Sequence, residues 1–88
     1  MKISQIKKEK ISEQILATLF SYSPRSLFTA NIAREIARDE EFIKSLLNKL
    51  KLRGLVVEIK KNSQGTSYIR RSRWGLSDTA YQAYKNKQ

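Results

Sequence analysis

The chain of 88 residues contains no cysteine and no histidine. Without cysteine there is no disulfide framework, no thiolate metal site and no thiol redox chemistry. Without histidine, the commonest metal ligand and the commonest general base near neutral pH are both missing. An enzyme made from what is left would need carboxylates, a Ser/Lys pair, tyrosine or a bound cofactor. The eight Asp and Glu residues form no recognisable metal or acid–base motif. We therefore expect no enzyme, no metal and no cofactor. Long apolar runs are lacking as well. None approaches the roughly 20 residues of a transmembrane helix. The opening stretch "MKISQIKKEKISEQ" is basic with no apolar region behind it, unlike a signal peptide. No membrane partner is expected, and the expected location is intracellular, in cytoplasm or nucleoid.

Acid is scarce relative to base. Eighteen Lys and Arg stand against eight Asp and Glu, a net charge of +10. Such a surplus suits a polyanionic partner, nucleic acid or an anionic membrane surface. The plainer explanation is that net charge keeps a small protein soluble. The length is that of one domain, residues 1–88, just able to bury a modest core without staples.

Apolar spacing predicts a first helix over residues 4–21, with Ile3, Ile6, Ile11, Ile15, Leu16, Leu19 and Phe20 near one face. Pro24, the only proline, forbids helical backbone at Ser23 and ends it. Leu27-Phe28 reads as one or two residues of edge strand. Thr29 is the expected N-cap of "ANIAREIA", with a weak staple between Phe28 and Ala33 and an apolar stripe of Ile32, Ala33, Ile36 and Ala37. Asp39 is a second N-cap, followed by Glu40 and Glu41 where the helix dipole favours acid. In "EEFIKSLLNKLKLRG", Ile43, Leu46, Leu47 and Leu50 hold the core-face slots, and Gly54 is the expected C-cap. These two helices make a tight helix-turn-helix over residues 30–53. "LVVEIKK" is rich in β-branched residues and reads as a strand, "NSQGTS" as a turn, and "YIRRSRWGL" as the returning strand, a hairpin over residues 55–74. Alternation puts Tyr68, Arg70, Ser72, Trp74 and Leu76 on one face, with Ile69, Arg71 and Arg73 on the other. Ser77 opens a last helix over residues 77–86, with Ala80, Tyr81 and Tyr84 at helical spacing.

Helix, short strand, helix, turn, helix, hairpin, helix is an α+β order, mainly α. With "TANIAREIARDEEFIKSLLNKLKLRGLVVEIKK" and "RWGLSDTAY", it resembles the winged helix-turn-helix DNA-binding domain. The likeness covers residues 11–84 and is nearest to small archaeal or viral transcriptional regulators. It implies a three-helix core, a small antiparallel sheet carrying a β-hairpin wing, and a C-terminal helix. It also implies that Asp39–Arg53 is the recognition helix, with Lys44, Ser45, Asn48 and Lys49 among its outward residues. A helix fits the major groove. There Asn48 would read adenine, Lys44 guanine or a phosphate, and Ser45 either. The competing reading is an ordinary solvated face. Glu40 and Glu41 depart from a comfortable DNA-reading pattern, because carboxylates near phosphates repel at about 1 kcal/mol per close pair even in high dielectric.

The same resemblance makes "KKNSQGTSYIRRSRWGLS" the wing. Lys60, Lys61, Arg70, Arg71 and Arg73 would neutralise phosphates, while Ser63 and Gln64 at the tip touch sugar or base. A charged edge that resists aggregation would explain Lys better than it explains Arg, the fork-shaped phosphate reader. Trp74 offers a stacking platform for an unpaired base. It shares a strand face with Leu76, however, and packing at the base of the sheet is the better reading. Tyr81 and Tyr84 are weighed the same way, as core or dimer contacts rather than base stackers. The function expected is sequence-specific binding of double-stranded DNA by a transcriptional regulator. It would act as a homodimer through its first and last helices, with the recognition helix in the major groove and the wing on the backbone or minor groove. The alternative is a winged-helix module that binds protein or RNA within a larger assembly.

Overall fold

The computed structural model describes residues 4–60 and 72–87. The first element is α1, Gln5–Tyr22. Ser4 caps it by accepting from the Lys7 amide, and Ser23 ends it with an extended ψ of 141°, as the proline behind it requires. Ile11, Ile15, Leu16 and Leu19 are buried. Ile6 is not: it is 69% exposed, so the apolar face begins one turn later than its spacing predicts.

Strand β1, Leu27–Phe28, leads directly into α2, Thr29–Ile36. The expected N-cap is displaced by one residue. Phe28 is the cap and Thr29 is the first helical residue. A phenyl ring cannot accept an amide hydrogen bond. The cap is therefore only the return half of a capping box, with the Phe28 N–H donating to Asn31 Oδ1 at 3.3 Å. Thr29 is left for another task. Its hydroxyl accepts the indole N–H of Trp74 at 2.8 Å in a buried position. Ala37, expected in the apolar stripe, is exposed and lies in the turn at a left-handed φ of 61°. There the Ala37 and Arg38 amides return to the Arg34 and Ala33 carbonyls.

Helix α3, Glu40–Leu52, is capped by Asp39, which accepts from the Phe42 amide. It ends in a closed motif. The Gly54 amide donates to the Lys51 carbonyl and the Leu55 amide to Leu50, both at 3.0 Å. Gly54 takes φ 76°, which glycine adopts without cost. Leu55 folds onto the core and starts the chain toward β2, Val56–Ile59.

Strand β3, Arg73–Leu76, is the middle of a three-stranded antiparallel sheet in the order β1-β3-β2. Trp74 pairs with Leu27 on one side and with Glu58 on the other. Ser77 then caps α4, Asp78–Asn86, by accepting from the Ala80 amide. The core draws Ile11, Ile15 and Leu19 from α1, Ile32 from α2, Ile43, Leu46, Leu47 and Leu50 from α3, and Trp74 from β3. Phe20 of α1 packs against Tyr81 and Tyr84 of α4, with ring centroids 5.5 and 5.6 Å apart, tilted on the first and stacked on the second. Those tyrosines are thus packed within the chain. The architecture is the expected winged helix: four helices with a small antiparallel sheet. The segment between the two hairpin strands falls largely outside the described residues.

Candidate nucleic-acid interface

A leucine stripe fixes how α3 sits. Ile43, Leu46, Leu47 and Leu50 are all buried, so the opposite face is held in solvent. Glu40, Glu41, Lys44, Ser45, Asn48 and Lys49 are all exposed on it. Among the described residues neither Lys44 nor Lys49 has an ion-pair partner, so both charges are available to a ligand. Ser45 differs. Its hydroxyl donates to the Phe42 carbonyl at 2.7 Å. Its free capacity is therefore as an acceptor.

The base of the hairpin is tied to the end of this helix by one carboxylate. Glu58 lies in β2 with its side chain only 12% exposed. Lys51 Nζ of α3 donates to Oε1 at 2.8 Å, and Ser72 Oγ, just before β3, donates to Oε2. Lys60 Nζ stands 4.0 Å from Oε2 and is 64% exposed. Burial pushes the Glu58 carboxyl up. Hydrogen bonds from Lys51 and Ser72, with the charges of Lys51 and Lys60, outweigh it and hold the group below its ordinary value. The contact joins α3, β2 and the start of β3 at one point. Sequence reading passed over Glu58 because a lone acid in a basic strand has no motif.

The anticipated wing residues divide into two groups. Lys60 is exposed at the end of β2. Arg73 is part of the sheet, opposite Phe28 and Ile59, with its guanidinium 5.9 Å over the Phe28 ring. Lys61, Ser63, Gln64, Arg70 and Arg71 lie outside the described residues. Trp74 is completely buried. It offers no face to an unpaired base, which removes the stacking reading.

A second basic region was not anticipated. Arg25 follows α1, Arg34 is on α2, and with Arg73 they line an open groove of about 390 Å³ beside β1. Tyr22, Phe28, Asn31 and Glu35 are also in its walls, with Ser26 and Leu27. The three arginines stand far apart in sequence, and no local pattern marks them. Among the described residues, no group of three or more acidic residues could hold a metal ion, and no helix is long and apolar enough to cross a membrane.

No family model matches the chain, and no curated protein matches it. Solved structures do. The S. aureus MepR–DNA complex is similar with a TM-score of 0.72 at 20% identity, over 93% of this chain and 68% of that one. A cysteine-to-serine mutant of ZitR from Lactococcus lactis is similar with a TM-score of 0.70 at 21% identity, over 99% of this chain and 55% of that one. The PcaV transcriptional regulator of Streptomyces coelicolor, with its natural ligand, gives a TM-score of 0.66 at 20% identity over 84% of this chain. These likenesses are of fold. The chain spans about half of the PcaV and ZitR chains, 48% and 55%.

Proposed function

We propose that the protein binds double-stranded DNA as a non-enzymatic transcriptional regulator, with α3 in the major groove and the hairpin wing on the backbone or minor groove. One observation carries this. The exposed face of α3, with Lys44, Ser45, Asn48 and Lys49, is set opposite a fully buried apolar face and tied by Lys51–Glu58 to the base of the hairpin. A fold shared with a regulator captured on DNA, and a net charge of +10, support it. Lys44 and Asn48 would read base edges, with Ser45 as an acceptor and Lys49 toward phosphate. On the wing, Lys60, Lys61, Arg70, Arg71 and Arg73 would neutralise phosphates while Ser63 and Gln64 reach sugar or base.

The proposal treats residues 1–88 as one winged-helix domain, of the kind found in small archaeal or viral regulators, acting inside the cell. It pairs two copies through α1 and α4. Exposed Ile6 on the first turn of α1 is available to that contact. Recognition would be sequence-specific, through the base edges that α3 meets. The second reading, a module that binds protein or RNA, is favoured by Glu40 and Glu41, exposed at the helix end that would approach bases. The deciding experiment is titration of random-sequence duplex at two salt concentrations, with an RNA competitor. Tight, salt-dependent duplex binding that survives the RNA supports the proposal. Absence of binding at low salt, or full competition by RNA, transfers it to the second reading.

A further inference from the structure

We infer that the groove between the end of α1, β1 and α2 is a second phosphate site of the protein. It would take a phosphodiester of the same duplex that meets the wing, through Arg25 and Arg34. This inference rests on the duplex-binding reading and adds residues that lie on neither the recognition helix nor the wing.

The sheet register places the groove. β1 runs antiparallel to β3, with Phe28 opposite Arg73, and β2 places Ile59 opposite the same Arg73. Phe28, Arg73 and Ile59 therefore mark one end of the sheet. The hairpin leaves from that end, through Lys60 after β2 and through Ser72 before β3. α2 starts there as well, immediately after Phe28. A duplex lying along the wing passes this end, where Asn31 and Arg34 of α2 line the groove.

The chemistry of the walls fits a backbone phosphate. Arg25 and Arg34 are exposed, so their guanidinium forks can meet phosphate oxygens in pairs. Arg73, with its charge over the Phe28 ring, adds positive potential. Asn31 spends Oδ1 on the Phe28 amide, which leaves its Nδ2 hydrogens for a groove occupant. The one carboxylate of the lining, Glu35, accepts the Tyr22 hydroxyl at 2.7 Å, which occupies one of its oxygens, and the arginines outnumber it three to one. The shape decides between a duplex and a small anion. Small-molecule sites usually enclose most of their ligand. Here Tyr22, Arg25, Arg34 and Glu35 are all exposed, and the groove stays open to water, as suits a phosphate on a long polymer.

The test compares the full chain with Arg25→Ala/Arg34→Ala and Arg25→Lys/Arg34→Lys, using duplex binding across a salt series and thermal melting. A phosphate contact contributes about 0.9 to the log–log salt slope. The double alanine variant should flatten the slope by about 1 to 2 per chain and weaken low-salt binding at least tenfold. The melting temperature should not move, and the lysine variant should recover most of the slope. An unchanged slope and affinity in the alanine variant, with the parent chain binding duplex, overturns the groove site and leaves the duplex reading standing. If the parent chain binds no duplex, the underlying reading fails first and takes the groove site with it. A third arm adds inorganic phosphate to the free protein at constant ionic strength, with Arg side-chain resonances observed. Saturable binding that depends on Arg25 and Arg34, without any change in their duplex slope, would make the groove a small-anion site and also overturn the inference.

Discussion

Trp74 and Thr29 show how one hydrogen bond can override a local preference. Threonine is a good helix cap, and its place before "ANIAREIA" made that role legible. The buried indole has a stronger claim. An N–H with no partner in the interior costs about 1–3 kcal/mol, whereas a lost cap costs about 1 kcal/mol. Thr29 therefore turns its hydroxyl inward to Trp74, and the cap is left to Asn31. Thr29→Val keeps the shape and removes the acceptor. It should cost about 1–3 kcal/mol in chemical denaturation, while Thr29→Ser should cost less. Equal stability of the valine variant would show that this bond does not matter. Ala37 makes the opposite case. It holds φ 61° in the turn between α2 and α3, a conformation that costs an L-residue about 1–2 kcal/mol. Ala37→Gly should raise stability by up to about 1 kcal/mol, read as a higher melting temperature. A fall would mean that glycine's extra freedom in the unfolded chain outweighs the relieved strain.

Elements were easier to read than their junctions. The four helices and β1 were visible because apolar spacing, the Ser4, Asp39 and Ser77 caps, and Gly54 all agree locally. The exposed face of α3 was visible for the same reason, since a helix with four buried positions has only one other side. Side-chain contacts across elements were not legible, because pairing residues 14 or 45 apart needs the fold first. Glu58 is the clearest example. It ties the end of α3 to both hairpin strands, and its lowered pKa gives a sign for the pH dependence. The folded group binds its proton less readily than the unfolded one. Its contribution is therefore full above the ordinary glutamate range, about 4.3, and is lost as pH falls through the lower folded value. As pH falls through and below the ordinary glutamate range, the parent chain should lose more stability than Glu58→Gln does. Parallel curves for the two proteins in an acid titration of thermal stability would show that this carboxylate contributes nothing to it. The same variant should loosen the hairpin relative to α3, and so weaken duplex binding even though it removes a negative charge and raises the net positive charge by one.

Charge and symmetry act on the whole molecule. Lys44, Ser45 and Asn48 stand in one sector of α3, held outward by Ile43, Leu46, Leu47 and Leu50. One such helix reads only a few base pairs, and specific recognition asks for two. With copies paired through α1 and α4, two α3 helices would enter successive major grooves about 34–36 Å apart. The preferred site is then an inverted repeat, with half-site centres about one helical turn apart. Each wing would engage about 3–4 phosphates, giving a dimer a log–log salt slope of about −5 to −7 from its wings alone. Base reading and phosphate binding separate cleanly in this scheme. Asn48→Ala should cost about 1–3 kcal/mol on the best site and much less on random duplex, with the salt slope unchanged. Glu40→Gln and Glu41→Gln should do the reverse, tightening random duplex by removing repulsion from phosphates. Selection from a random duplex pool checks all of this at once. Enrichment of a palindrome, lost with Asn48→Ala, is the expected result. A pool that stays random, with Asn48→Ala weakening every sequence equally, would mean that α3 positions the protein on DNA without reading it.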